Sequence, residues 1–153
     1  MRWMRLAFEE AQKAFELGEI PVGAIIVKDD RVIGRGGNRV ESLKDPTAHA
    51  EIIAIGAAAD TTAYSRLVDT TMYVTLEPCP MCAGAIVLAR IPRLVYGVSD
   101  TQAGACGSVY DICRDGRLNH TVDIVSGVME TESSRILQDF FKSIRCRNKN
   151  SIN

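Results

Sequence analysis

The chain has 153 residues, 46% hydrophobic and 24% charged, with 18 basic against 19 acidic side chains and a net charge of −1. This length and balance fit one globular domain spanning 1–153 and exclude a disordered chain, a coiled coil and a collagen-like repeat. The most apolar stretch, residues 83–89, is far short of the roughly 20 residues of a membrane span, and Glu9 and Glu10 stand where a leader would be apolar, so a cytoplasmic protein is expected.

Met4, Ala7, Phe8, Ala11, Ala14 and Phe15 recur at three- and four-residue steps, which predicts an amphipathic helix. Gly18 is its expected cap, and Pro21 prevents its continuation. Residues 22–27 form an apolar run with β-branched residues, too short for a helix. After the polar turn Lys28-Asp29-Asp30, residues 31–36 return as a hairpin partner. Gly36-Gly37-Asn38 opens a polar loop. Asp45-Pro46 then reads as N-cap and first residue of a helix through Ala48, Ile52, Ile55 and Ala59. A third strand is expected at 71–76, a short helix rich in small residues at 78–90, and further strands at 94–98 and 122–125. The span between the last two strands is long enough for a crossover, which allows them to run parallel. A final helix carries Ile136, Leu137, Phe140, Phe141 and Ile144 on one stripe. This order predicts a three-layer α/β/α sandwich around a mixed five-stranded sheet.

Charge is unevenly spread. From Phe140 onward there are Lys142, Arg145, Arg147 and Lys149 and no acid. Removing those four from the 18 basic residues leaves 14 against 19, a body of −5 with a basic helix end and tail at about 140–153. Cations at a helix C-terminus also complement its dipole. The alternative use of such a pole is contact with phosphates.

Two segments carry chemistry, each at an expected helix start: Thr47-Ala48-His49-Ala50-Glu51 and Glu77-Pro78-Cys79-Pro80-Met81-Cys82. Cysteines three apart share a helix face. A helix N-terminus favours their thiolates. Two thiolates plus the imidazole of His49 make a donor set that zinc accepts, with one position left for water. Zinc lowers the pKa of such water from about 16 to near 7. Glu51, about 200° around an ideal helix from His49, is a poor second ligand from the same helix. It suits the role of proton shuttle better. Other readings stay open at this point. Cys-x-x-Cys occurs in redox pairs, although the βαβ context of that class is missing. A structural zinc would need a fourth ligand from Cys106, Cys113, Cys146 or His120. Buried thiols without function are common.

The H-x-E … P-C-x-x-C arrangement resembles the signature of the zinc-dependent cytidine/deoxycytidylate deaminase superfamily. Within it, the chain resembles the bacterial tRNA-specific adenosine deaminases from Arg2 to about Arg145. The matching stretches include residues 19–24, 45–51, 73–79, 81–85, 100–104, 107–108 and 139–141. The resemblance implies a cytidine deaminase-like fold and one zinc per subunit on His49, Cys79 and Cys82, with Glu51 as the catalytic proton shuttle. It implies substrate contacts from Asn38, Ala50, Asp100, Phe141 and Arg145. It also implies a homodimer that binds the tRNA anticodon stem-loop and converts the wobble adenosine to inosine with release of ammonia. An asparagine offers a purine edge both a donor and an acceptor, although Asn38 follows two glycines and is also an ordinary turn former. Two residues depart from the family pattern. Ile144 stands where a basic residue is expected, and Cys106 stands where an alanine is usual. A free-base deaminase shares the zinc motif, and a zinc-stabilised nucleic-acid-binding module would use four protein ligands and turn nothing over.

Overall fold

The first helix forms as α1 (Arg2–Glu16) and buries Met4, Ala7, Ala11 and Ala14. Gly18 follows at φ +76°, the left-handed conformation that closes many helices. Glu10 is buried on the same face. Lys13 at 2.9 Å and Arg35 at 3.5 Å neutralise it. The coordinates are a computed structural model that describes residues 1–151. Residues 152 and 153 of the expected basic tail lie outside the described residues.

The hairpin is β1 (Gly23–Lys28) with β2 (Arg31–Gly37). Asp29 and Asp30 both adopt positive φ, 48° and 55°. That is a two-residue turn of the kind whose twist matches the flanking strands. One helical turn, α2 (Val40–Leu43), interrupts the loop that follows, which the sequence pattern does not suggest. The helix expected from Asp45-Pro46 begins later, as α3 (Ala50–Thr62). Asp45 instead accepts the backbone N–H of Thr47 at 2.8 Å and its hydroxyl at 2.7 Å. The aspartate folds a local turn rather than capping a helix. The remaining elements are β3 (Thr71–Leu76), α4 (Pro80–Leu88), β4 (Arg93–Val98), β5 (Asp123–Val125) and α5 (Glu130–Asn150).

The sheet order is β2-β1-β3-β4-β5. β1 runs antiparallel to β2 and β3, whereas β3, β4 and β5 are mutually parallel. Alternate side chains leave each strand on opposite faces. Ala24, Ile26, Met72, Val74, Leu94 and Tyr96 meet Ala50, Ala54 and Ala58 of α3 and Ala83, Ile86 and Val87 of α4. Ile25, Val27 and Val95 meet Met4 and Ala7 of α1 on the other face. α5 joins that layer, and its Phe140 ring lies edge-on to Phe15 with centroids 5.8 Å apart. Burying a Leu, Ile or Met contributes roughly 1.5–3 kcal/mol. An exposed pair such as Arg93–Asp123 contributes about 0–1 kcal/mol. The apolar alternation therefore sets the layers.

Glycines set the approach distance. A Cβ on Gly36 of β2 would run into the Ala50 carbonyl, so α3 lies against bare backbone at its first turn. Gly23 pairs with Gly37, and Ala24 pairs with Val74. The start of β1, the end of β2 and the carboxyl end of β3 therefore share one edge of the sheet. Ligand sites in sheets with parallel strands gather outside such carboxyl ends.

Candidate metal centre and substrate pocket

His49 is the N-cap of α3 and is extended, at φ −74° and ψ 154°. Cys79 is the N-cap of α4, also extended, with Pro80 opening the helix. Proline suits that first position because its missing N–H would have no helical partner there. Cys82 follows in the first turn. The two caps bring the side chains together: His49 Nδ1 is 3.6 Å from Cys79 Sγ and 3.5 Å from Cys82 Sγ. All three donor atoms lie within 4.8 Å of one another and could hold one metal ion. Such donors suit a soft or borderline divalent cation. Hydrogen bonding from Cys82, together with His49, brings the Cys79 thiol down to about 4. The bond to Cys79 and burial push the Cys82 thiol up, and the bond to Cys79 raises His49.

His49 and Cys79 of the cluster line a pocket of ≈ 190 Å³. Asn38, Ala50, Glu51, Glu77, Asp100 and Ala103 line the rest of it together with Ile20, Val22 and Leu76. Glu51 is only 4% exposed, and burial pushes its carboxyl up to about 7. Asn38 is 6% exposed, and its side-chain oxygen is buried without a partner. A buried polar atom left unpaired is costly. Ala50 is the first residue of α3, where backbone N–H groups have no partner inside the helix. Two larger clefts, of about 480 and 510 Å³, touch none of these residues.

The structure therefore brings seven of the nine residues singled out from sequence to one place. Phe141 and Arg145 lie elsewhere, on exposed turns of α5, with Phe141 44% exposed. The cysteines considered as a fourth ligand have other places. Cys106 and Cys113 face each other at 3.5 Å, and Cys146 is exposed on α5. His120 contacts the Ile91 carbonyl at 2.8 Å. Sequence reading missed Glu77. It is quoted within the cysteine motif without a role, yet its buried carboxylate accepts from Asp100, Cys106 and Ser108. Those partners lie 23–31 residues away, and no local pattern announces them.

A mixed five-stranded sheet with a histidine and two cysteines at adjoining helix starts is the arrangement of a cytidine deaminase-like protein. The MafB19-like deaminase family model matches residues 1–145. A tRNA-specific adenosine deaminase of Haemophilus influenzae is 51% identical over 145 residues, covering 94% of this chain and 84% of that protein. One of Bacillus subtilis is 42% identical over 147 residues, covering 96% and 91%. A solved structure from work on A-to-I editing by tRNA:A34 deaminases superposes with a TM-score of 0.86 at 47% identity, covering 89% of this chain and 99% of that one. A guanine deaminase of Bacillus subtilis superposes less closely, with a TM-score of 0.63 at 31% identity over 94% and 92%. The chain belongs to the family of tRNA-specific adenosine deaminases.

Proposed function

We propose that this protein deaminates adenosine to inosine at the wobble position of tRNA anticodon loops, as a single deaminase domain with one zinc ion on His49, Cys79 and Cys82. The observation that carries this reading is the three-donor cluster beside a buried glutamate that lines the same small pocket. A tetrahedral zinc with sulfur at about 2.3 Å and nitrogen at about 2.0–2.1 Å separates those ligand atoms by about 3.6 Å. The observed separations of 3.5 and 3.6 Å fit that ion. When bound, zinc supplies Lewis acidity, the means by which such sites make water nucleophilic near neutral pH.

The protein's own residues do the rest. A pocket of ≈ 190 Å³ lies below the roughly 300–1,000 Å³ of drug-sized sites, so it suits a single base turned out of a loop. The side-chain oxygen of Asn38 accepts a hydrogen bond from that base, the backbone N–H at Ala50 faces it from the start of α3, and Asp100 contributes to the pocket wall. Glu51 takes a proton from the attacking water and delivers it to N1, the ring nitrogen beside C6. It then takes the proton of the hydroxyl now on C6 and passes it to the departing amine, so the C6–N bond breaks, ammonia leaves and the C6 carbonyl of inosine forms. A buried carboxylate that ligates nothing itself is placed to pass protons between water and base. Phe141 and Arg145 lie outside the pocket and serve the flanking RNA.

The same reading includes a homodimer in the cytoplasm. α4 is apolar on every side, yet Leu88 is 77% exposed and Met81 is exposed as well. A helix that is apolar all round belongs in an interior. A second copy supplies that cover. No helix among the described residues is long and apolar enough to cross a membrane.

The test is ammonia release by the zinc-loaded protein from three substrates: an unmodified anticodon stem-loop, free guanine and free cytosine. Release from the stem-loop alone is expected. Release from a free base alone would replace this reading with that of a free-base deaminase.

A further inference from the structure

We propose that Glu77 is a positioning residue for the deamination, holding residues 100–108 as the wall against which the substrate base is seated. The inference rests on the deamination reading above and deepens it. Glu77 directly follows β3 and stands two residues before Cys79. It is 1% exposed. Its Oε1 accepts the backbone N–H groups of Cys106 and Ser108, each at 3.0 Å. Its Oε2 accepts the backbone N–H of Asp100 at 2.9 Å and the Ser108 hydroxyl. Hydrogen bonds to an ionised acceptor are about twice as strong as neutral ones. Here four of them converge on one side chain.

What they hold is an irregular loop. Its three backbone donors to Glu77 lie at its start and toward its end. Gly104 packs between them, and a Cβ there would overlap the Glu77 carboxylate. Ala105 N–H adds a tie to the Pro78 carbonyl at 2.8 Å. Asp100 and Ala103, both lining the pocket, sit within the span so fixed. The Asp100 carboxylate is itself engaged, accepting the N–H groups of Gln102 at 2.9 Å and Ala103 at 3.2 Å. Glu77 itself lines the pocket, but both its oxygens are occupied by the loop, so its carboxylate acts on the base through the loop and not by touching the reacting atoms. Because Glu77 also adjoins the Pro78-Cys79 segment, the wall is referenced directly to the metal centre.

Glu77→Gln keeps the size of the side chain and replaces one acceptor with a donor that opposes a loop N–H. Ser108→Ala deletes one hydroxyl only. Both variants and the double variant are compared as zinc-loaded full chains, well below their unfolding midpoints. Zinc per chain, kcat and KM for the anticodon stem-loop are measured. Stoichiometric zinc is expected throughout. KM should rise at least ~10-fold in Glu77→Gln and about 3-fold in Ser108→Ala with kcat within ~3-fold, the signature of lost binding shared by ground and transition states. The double variant should raise KM by less than the product of the two single effects, because both changes act on one set of contacts between Glu77 and the loop. Unchanged KM, lost zinc, or a fall in kcat at constant KM would overturn the proposal. Should Glu77→Gln fail to fold, KM of Ser108→Ala decides alone. An inactive wild-type protein would remove the deamination reading and this proposal with it, whereas normal wild-type turnover with unaltered variants removes only the role of Glu77.

Discussion

Glu51 and Glu19 are both buried acids, and their surroundings drive them in opposite directions. Around Glu51 burial dominates and pushes the carboxyl up to about 7. Glu51→Ala should bind zinc stoichiometrically while deamination falls by at least about 10²-fold. Cys79→Ala should lose metal and activity together, as metal analysis beside an ammonia assay would show. Zinc loss in the Glu51 variant would count against its role as a shuttle. Around Glu19 burial also acts upward, but hydrogen bonds from the Ser42 hydroxyl and N–H and the Glu41 N–H, with Arg39 nearby, outweigh it and lower the pKa below its usual 4.5. A folded value below the unfolded one stabilises the protein above pH 4.5. That stabilisation is lost as pH falls through the lowered value. Glu19→Gln should therefore cost about 1–3 kcal/mol at pH 7 and show a shallower loss of stability on acidification. Urea unfolding at pH 7 and pH 3 checks this, and parallel curves for the two proteins would contradict it.

At the scale of elements, the sequence was most legible where the core is apolar and regular. The strand expected at 71–76 forms over those residues, because Met72 and Val74 alternate into one core and Tyr73 into the other. The parallel crossover to β5 also forms. The start of α3 was not legible, because Asp45-Pro46 carries the residue types of a helix start. The Asp45 side chain is spent on Thr47, and His49 caps the helix instead. That later start turns His49 toward Cys79 and Cys82. The zinc motif was readable because its residues lie in two short runs. Glu77 was not, because its meaning depends on donors brought in by tertiary folding. α5 gives a further test. Acids Glu130 and Glu132 open it and Arg147 and Lys149 close it, in accord with its dipole. Truncation after Phe141 removes the basic end and leaves the buried Phe140 in place. Anticodon stem-loop binding should weaken and its salt dependence flatten, as a titration across salt concentrations would reveal. Unchanged affinity would take the tail out of RNA recognition.

The whole molecule is an acidic body with its reactive pocket at one sheet edge and basic charge concentrated at the end of α5. Its overall field does not draw nucleic acid to it, so recognition must be local. The apolar outer side of α4 supplies the other large-scale prediction. Leu88→Asp should shift the protein toward monomers in sedimentation, with little loss of monomer stability because the side chain is already exposed. An unchanged mass would exclude this face from self-association. The most direct measurement of the central claim is to incubate the zinc-loaded protein with unmodified tRNA and sequence the anticodon, where inosine reads as guanosine. Conversion confined to the wobble adenosine, with one ammonia released for each site changed, is the predicted result. An intact wobble adenosine after incubation with fully metallated protein would contradict it.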